Sequence, residues 1–200
     1  LEPGTVEDAI DRISTRLGNL PWGFNLIHSP YDSRLEETVA NLYIRRGVKR
    51  VSASAYMDLT LPLVRYRLHG IHLDASGRIV TPNRLIAKVS RVEVARKFLS
   101  PPPSKLLAVL VEEGDLSEEQ ARMAESVPVA QDLTVEADSG GHTDNRPAIT
   151  LLPTMLALRD RYQAERDFQR TRYEHIRYLL LLKRETGTLE AEDLLEVGTW

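Results

Sequence analysis

The 200-residue chain contains no cysteine. Disulfides, thiolate nucleophiles and cysteine-ligated zinc or iron–sulfur centres are thereby excluded, and the lack fits a cytoplasmic protein. Long apolar runs are also missing. The longest, Tyr178–Leu182, falls far short of the ~20 residues of a membrane span. Residues Leu1–Ile10 are polar and acidic, with no apolar core of a signal peptide. No charge sign dominates: 26 Lys and Arg face 29 Asp and Glu, a net charge of −3. That balance gives no general attraction to nucleic acid or to an anionic membrane. The five histidines form neither an HxH nor an HExxH pattern, so no metal site is expected. GxGxxG, Walker and GxSxG signatures are absent too, which leaves dinucleotide, P-loop and α/β-hydrolase readings unsupported. Neither Leu1 nor Trp200 carries a boundary signal, so truncation is an open expectation.

What is present alternates between two periodicities. Val6, Ile10, Ile13 and Leu17 recur at helical spacing over Thr5–Leu17, and Gly18, Asn19 and Pro21 stop that helix. Trp22–His28 reads as a short strand. A second helix is expected over Ser33–Arg46, closed by Gly47, and a strand over Val48–Ala55. Pro62–His69 reads as a helix, and Ile71–Pro82 as a connecting excursion with a turn at Ala75–Gly77. Arg84–Ser90 is a buried strand with one interior charge, and Val92–Leu99 a helix broken by Pro101–Pro103. Two further helices follow, Lys105–Glu113 and Ser117–Glu125, the latter opened by a Ser117 to Gln120 capping signature. Leu133–Ala137 is another strand and Asp138–Arg146 a polar loop. Pro147 and Pro153 flank the start of a helix that extends through Arg161, with room to run much further. Arg159–Arg184 reads as one long amphipathic helix, and a last short helix opens at Gly187.

This order predicts an α/β fold with a parallel sheet and helical crossovers. Polar or small residues gather at each strand's C-terminal end: Asn25 and His28, Ser52 and Ser54, Lys88 and Ser90, Glu136 and Asp138. In barrels and open α/β sheets that edge binds ligands.

The segment Asp138-Ser139-Gly140-Gly141-His142 is the most informative. Adjacent glycines let backbone approach a planar ligand, and His142 is a candidate acid or base. A solvated turn with an incidental histidine explains the same residues equally well. Lys88, inside an apolar strand, needs an anion. That anion is either a ligand or a neighbouring carboxylate such as Glu136. Asn25, read as a buried amide, would be satisfied by a flavin or substrate edge, or by backbone. His28 forms part of a pocket or merely caps its strand. Ser52 and Ser54 leave room for a ring, or for close packing. His175 is expected on the surface, and His69 and His72 are assigned nothing.

Pro21–Pro30, Arg50–Met57, Ile86–Arg91 and Thr134–Pro147 resemble the trans-acting enoyl reductases of polyketide and polyunsaturated fatty acid synthases, which are themselves similar to nitronate monooxygenases. The resemblance covers roughly residues 1–163, and Glu136–Pro147 is its most specific stretch. It implies an FMN-binding (β/α)8 TIM barrel, of which about four β/α units lie here. Residues 98–128 would form a helical insertion and residues 164–200 a helical tail. The implied reaction is reduction of an enoyl thioester on an acyl carrier protein, with NADPH as hydride donor. Asn25, Lys88, Glu136, Asp138, Ser139, Gly140 and Gly141 would contact the flavin, and His142 would be the catalytic residue. The family's first strand and its later phosphate-binding glycine loops are not recognised in this sequence. A nitronate monooxygenase-type flavin reaction and a truncated, non-catalytic association module are the alternatives, and a homo-oligomer is an open option.

Overall fold

The computed structural model describes residues 3–136 and 148–190. Two compact units divide at Leu158 and Arg159. In the first, α1 (Pro3–Leu17), β1 (Phe24–Ile27), α2 (Ser33–Arg45), β2 (Arg50–Ser54) and α3 (Leu61–Leu68) are followed by a small antiparallel pair, β3 (His72–Leu73) and β4 (Ile79–Val80). Then come β5 (Arg84–Val89), α4 (Val92–Leu99), α5 (Ser104–Glu112), α6 (Glu118–Ala124) and β6 (Asp132–Val135). The last described helix, α7, runs Ala148–Glu185.

Local chemistry accounts for the boundaries. The Asp32 side chain accepts from Leu35 N at 3.1 Å to open α2. Gly47, at φ +65°, closes it. The capping box expected at α6 is formed: Gln120 N donates to Ser117 Oγ at 3.2 Å, and Ser117 N to Gln120 Oε1 at 2.9 Å. A cap of this kind is worth ~1 kcal/mol. Gly23 is required by proximity, since a Cβ there would sit 2.4 Å from the Arg50 carbonyl oxygen.

The main sheet has four parallel strands in the order β1-β2-β5-β6. Phe24 pairs with Val51, Val51 with Leu85, and Ala87 with Leu133. The order never reverses. Right-handed crossovers that advance in one direction place their helices on one face, whereas a doubly wound sheet reverses and is covered on both. Burial follows that rule. Leu26, Val51, Ala53, Leu85, Ala87 and Val89 are buried, while Asn25, Ile27 and Ile86 are exposed. Apolar residues of the helices, among them Leu42, Leu63 and Phe98, are buried as well. Tyr43 and Tyr66 satisfy their hydroxyls there, donating to the carbonyls of Asn25 at 2.7 Å and Val48 at 2.8 Å. Burial pushes the Tyr43 phenol up to about 12. Beyond α3, a cluster of Val64, Leu68, Ile71, Leu107, Leu110, Leu116 and Ala124 seats the α5–α6 excursion.

Two expectations change and one is met. Ile71–Pro82 is not a plain excursion: β3 and β4 pair, and the Asp74 carboxylate closes their turn through Ser76 and Arg78. The helix start expected between Pro147 and Pro153 falls at Ala148, and α7 runs on through Pro153 to Glu185, taking in the expected tail helix. Thr186–Glu190 are turn and coil, so no helix opens at Gly187, and the remainder of that expected helix lies outside the described residues. Leu151, Met155 and Leu158 are buried within the first unit, whereas Phe168, Tyr178 and Leu182 of the second are exposed.

Candidate functional site

The open face of the sheet collects the polar residues singled out from the sequence. Side chains alternate along a strand, so Asn25 and Ile27 of β1, Ser52 and Ser54 of β2, Ile86 and Lys88 of β5, and Thr134 with Glu136 after β6 share it. Asn25 is a correction. It is exposed rather than buried, because the same alternation commits Leu26 to the helices. Its amide therefore faces outward from the open face.

Lys88 Nζ lies 2.7 Å from Glu136 Oε1, and each side chain is about a third exposed, at 31% and 29%. The lysine's need for an anion is met by the neighbouring carboxylate. A pair this open contributes ~0.2–1 kcal/mol, so its placement is not explained by stability. Beside it by register, Ser54 Oγ is buried with no hydrogen-bond partner. Ala55, immediately after, takes φ +64°. A left-handed alanine costs ~1 kcal/mol or more. This turn ends β2 at the sheet's C-terminal edge and carries the chain into Tyr56.

A second polar group lies at that edge, toward the helices. Glu36 of α2 is 3% exposed. Its Oε2 is 2.8 Å from His28 Nδ1, and its Oε1 accepts from the Thr60 hydroxyl ahead of α3. The His28 ring packs on Tyr56 at 5.3 Å, and Tyr56 on Phe98 at 6.1 Å. Burial first, and the Glu36 carboxylate second, hold the Tyr56 phenol well above its usual range, so it stays protonated. Sequence reasoning placed His28 at the edge but missed Glu36. One of two adjacent glutamates within the amphipathic pattern of α2 gives no signal of its burial.

Asp138, Ser139, Gly140, Gly141 and His142 lie outside the described residues. Among the described residues, no cluster of three or more His, Cys, Asp or Glu side chains could hold a metal. No described helix is long and apolar enough to cross a membrane.

The open face suits a flat, polar-edged ring. Ser52 and Ser54 are small, Ser54 Oγ lacks a partner, and Lys88 offers a cation at the rim. Asn25 adds an amide that can match both donors and acceptors. These groups could hold the polar edge of a planar ring.

Comparison with known proteins agrees with this architecture. No family model matches the chain. Residues along 80% of it are 48% identical, over 160 positions, to a polyunsaturated fatty acid synthase subunit of Thraustochytrium sp.. The polyketide biosynthesis protein PksE of Bacillus subtilis is 44% identical over 156 positions, or 78% of the chain. In structure, the enoyl reductase domain of MlnA, from the macrolactin biosynthesis cluster of Bacillus amyloliquefaciens, matches with a TM-score of 0.78 and 37% identity over 84% of the chain. The chain thus shares its α/β fold with a segment of the MlnA enoyl reductase domain. More particularly, it is homologous to a segment shared by polyunsaturated fatty acid synthase subunits and the PksE and ThaF polyketide proteins. It spans 11% of the Thraustochytrium protein, 20% of PksE and 38% of the MlnA chain.

Proposed function

We propose that this chain forms the flavin-facing sector of an FMN-dependent enoyl reductase that works in trans on enoyl thioesters carried by an acyl carrier protein. The observation that carries the reading is the one-sided sheet. Helices cover one face, and Lys88, Glu136, Ser54 and Asn25 gather on the other. Four parallel strands advancing in one direction are what a sector of a (β/α)8 wall requires, with its interior face toward the ligand. The homology to polyketide and polyunsaturated fatty acid synthesis proteins supports the substrate class.

A bound flavin would supply the hydride chemistry, with NADPH as the source of electrons. The chain's own residues hold and polarise. Lys88 offers positive charge to the anionic pyrimidine edge, and Glu136 fixes the ammonium in place at 2.7 Å. Ser54 and Asn25 supply hydrogen-bonding groups to the same edge. His142 belongs to this reading as the proton donor carried by the Glu136–Pro147 resemblance.

The test is reconstitution of the complete polypeptide with FMN, followed by anaerobic NADPH reduction and reoxidation by an enoyl thioester on a carrier protein. The reading expects a visible flavin band, bleached by NADPH and restored by the enoyl substrate. A polypeptide that takes up no flavin overturns it. Reoxidation by oxygen with consumption of a nitronate, and none by the enoyl thioester, would replace it with a nitronate monooxygenase-type reaction.

A further inference from the structure

Glu36 is a carboxylate 3% exposed, placed where three segments converge. It belongs to α2, while His28 follows β1 and Thr60 precedes α3. Burying a carboxylate is costly unless it is hydrogen-bonded, and both its oxygens are engaged. An ionised carboxylate only accepts, so in that state His28 Nδ1 is the donor to it. The other ring nitrogen, Nε2, makes no hydrogen bond among the described residues, in a side chain 28% exposed at the C-terminal edge of the sheet. The flat face of Tyr56 backs the ring at 5.3 Å. Among the described residues, the ionisable groups that pack on the ring are therefore Glu36 from α2 and Tyr56 from the β2–α3 connection, the latter neutral.

A carboxylate that holds one imidazole nitrogen sets the direction of the other. A histidine serving only to cap its strand would need neither a buried acid nor a backing ring. We propose that Glu36 and His28 form a carboxylate–imidazole dyad of this site. In it Glu36 is a positioning residue, and His28 donates through Nε2 to the carbonyl oxygen of the acyl thioester. With both ring nitrogens protonated, one hydrogen bond goes to Glu36 and one to the substrate. Negative charge gathers on that oxygen as the conjugated double bond is reduced, and a fixed donor there lowers the barrier. The assignment rests on the enoyl reductase reading for its substrate, but the dyad itself rests on the hydrogen bonds alone.

The deciding variants in the complete polypeptide are His28→Asn and His28→Gln. Asparagine keeps an amide donor near the Nδ1 position for Glu36 and removes everything at Nε2. Glutamine reaches the Nε2 position instead. The dyad expects H28N to keep its melting temperature, its flavin and its NADPH-driven flavin reduction. Its kcat with the enoyl thioester should fall on the order of 100-fold, with H28Q recovering part of the loss. An H28N protein that keeps a third or more of parental kcat makes His28 a brace and overturns the proposal. Nitrogen-15 spectra of the histidine ring give an independent check. Nδ1 should carry a proton in the parent, and the ring signals should move in Glu36→Gln; a bare Nδ1, or signals indifferent to E36Q, overturns the dyad. If the parent binds flavin but reduces no enoyl thioester, the substrate assignment falls with the reading beneath it, and the ring spectra still decide the dyad.

Discussion

The two faces of the four-stranded sheet are built by the same strands under opposite demands. On one, Leu26, Val51, Ala53, Leu85, Ala87 and Val89 disappear beneath helices. On the other, Asn25, Ile27, Ile86 and Lys88 remain at least partly exposed. Residues 85 and 86 are neighbours in sequence, yet Leu85 is 0% exposed and Ile86 38%. Charge is handled just as differently. Arg67, on the covered side, is 1% exposed and gives Nη1 to the Asn83 carbonyl at 2.7 Å and Nε to the Pro128 carbonyl at 3.3 Å. Burial lowers that guanidinium to about 10. It ties α3 to the start of β5 and to the segment before β6. Lys88, on the open side, pairs with Glu136 at a part-exposed rim. The covered face holds the fold together, and the open face is free to be chosen for chemistry.

The sharpest way to break this contrast is Leu85→Ala. Removing a fully buried leucine from a central strand costs roughly 2–5 kcal/mol, depending on how far the site collapses. Urea unfolding should show that loss as a lower midpoint with little change in slope. A loss below ~1 kcal/mol, within the range of ordinary surface changes, would mean that the helices do not pack on this face as described.

Lys88→Met tests the other face and should move stability far less. The ion pair with Glu136 is about a third exposed, so its removal costs ~1 kcal/mol at most. Flavin retention in the complete polypeptide should fall much more steeply, read as flavin lost on dialysis. A variant that unfolds readily yet keeps its flavin would assign Lys88 to the structure and not to the ligand.

The covered face was the legible part in sequence. Val92–Leu99 has the expected bounds, Ser117 and Gln120 form the expected box, and Gly47 closes α2 because each signal is local. The open face was legible only as a list of residues at strand ends. Which way Asn25 pointed depended on register with β2, a non-local fact that reversed its expected burial. Glu36 contacts His28 and Thr60, 8 and 24 residues away, and Arg67 reaches Pro128 across 61. The last two lie beyond any local window, and nothing in a window marks the first as a contact. Pro153 lies inside α7 although a missing N–H disfavours an interior helical position: the flanking Leu151, Met155 and Leu158 are buried, and packing carries the helix through it.

Ile86→Thr should have the smallest effect, and it is informative for that reason. Threonine keeps the β-branch that suits a strand and changes only what the open face presents. With 38% of Ile86 exposed, the expected change is within ~0.5 kcal/mol, as for ordinary surface substitutions. Placed one residue from Leu85, it separates the two faces within a single strand, where backbone pairing to β2 and β6 is common to both variants. Measured in this 200-residue chain and again in the complete polypeptide, the same substitution also reports on what lies over the face. A cost that stays near zero in both leaves Ile86 at a solvated opening. A cost that rises well above ~1 kcal/mol in the complete polypeptide alone shows that further chain or ligand buries Ile86 there, which is what closure of the sheet into a barrel around this face demands.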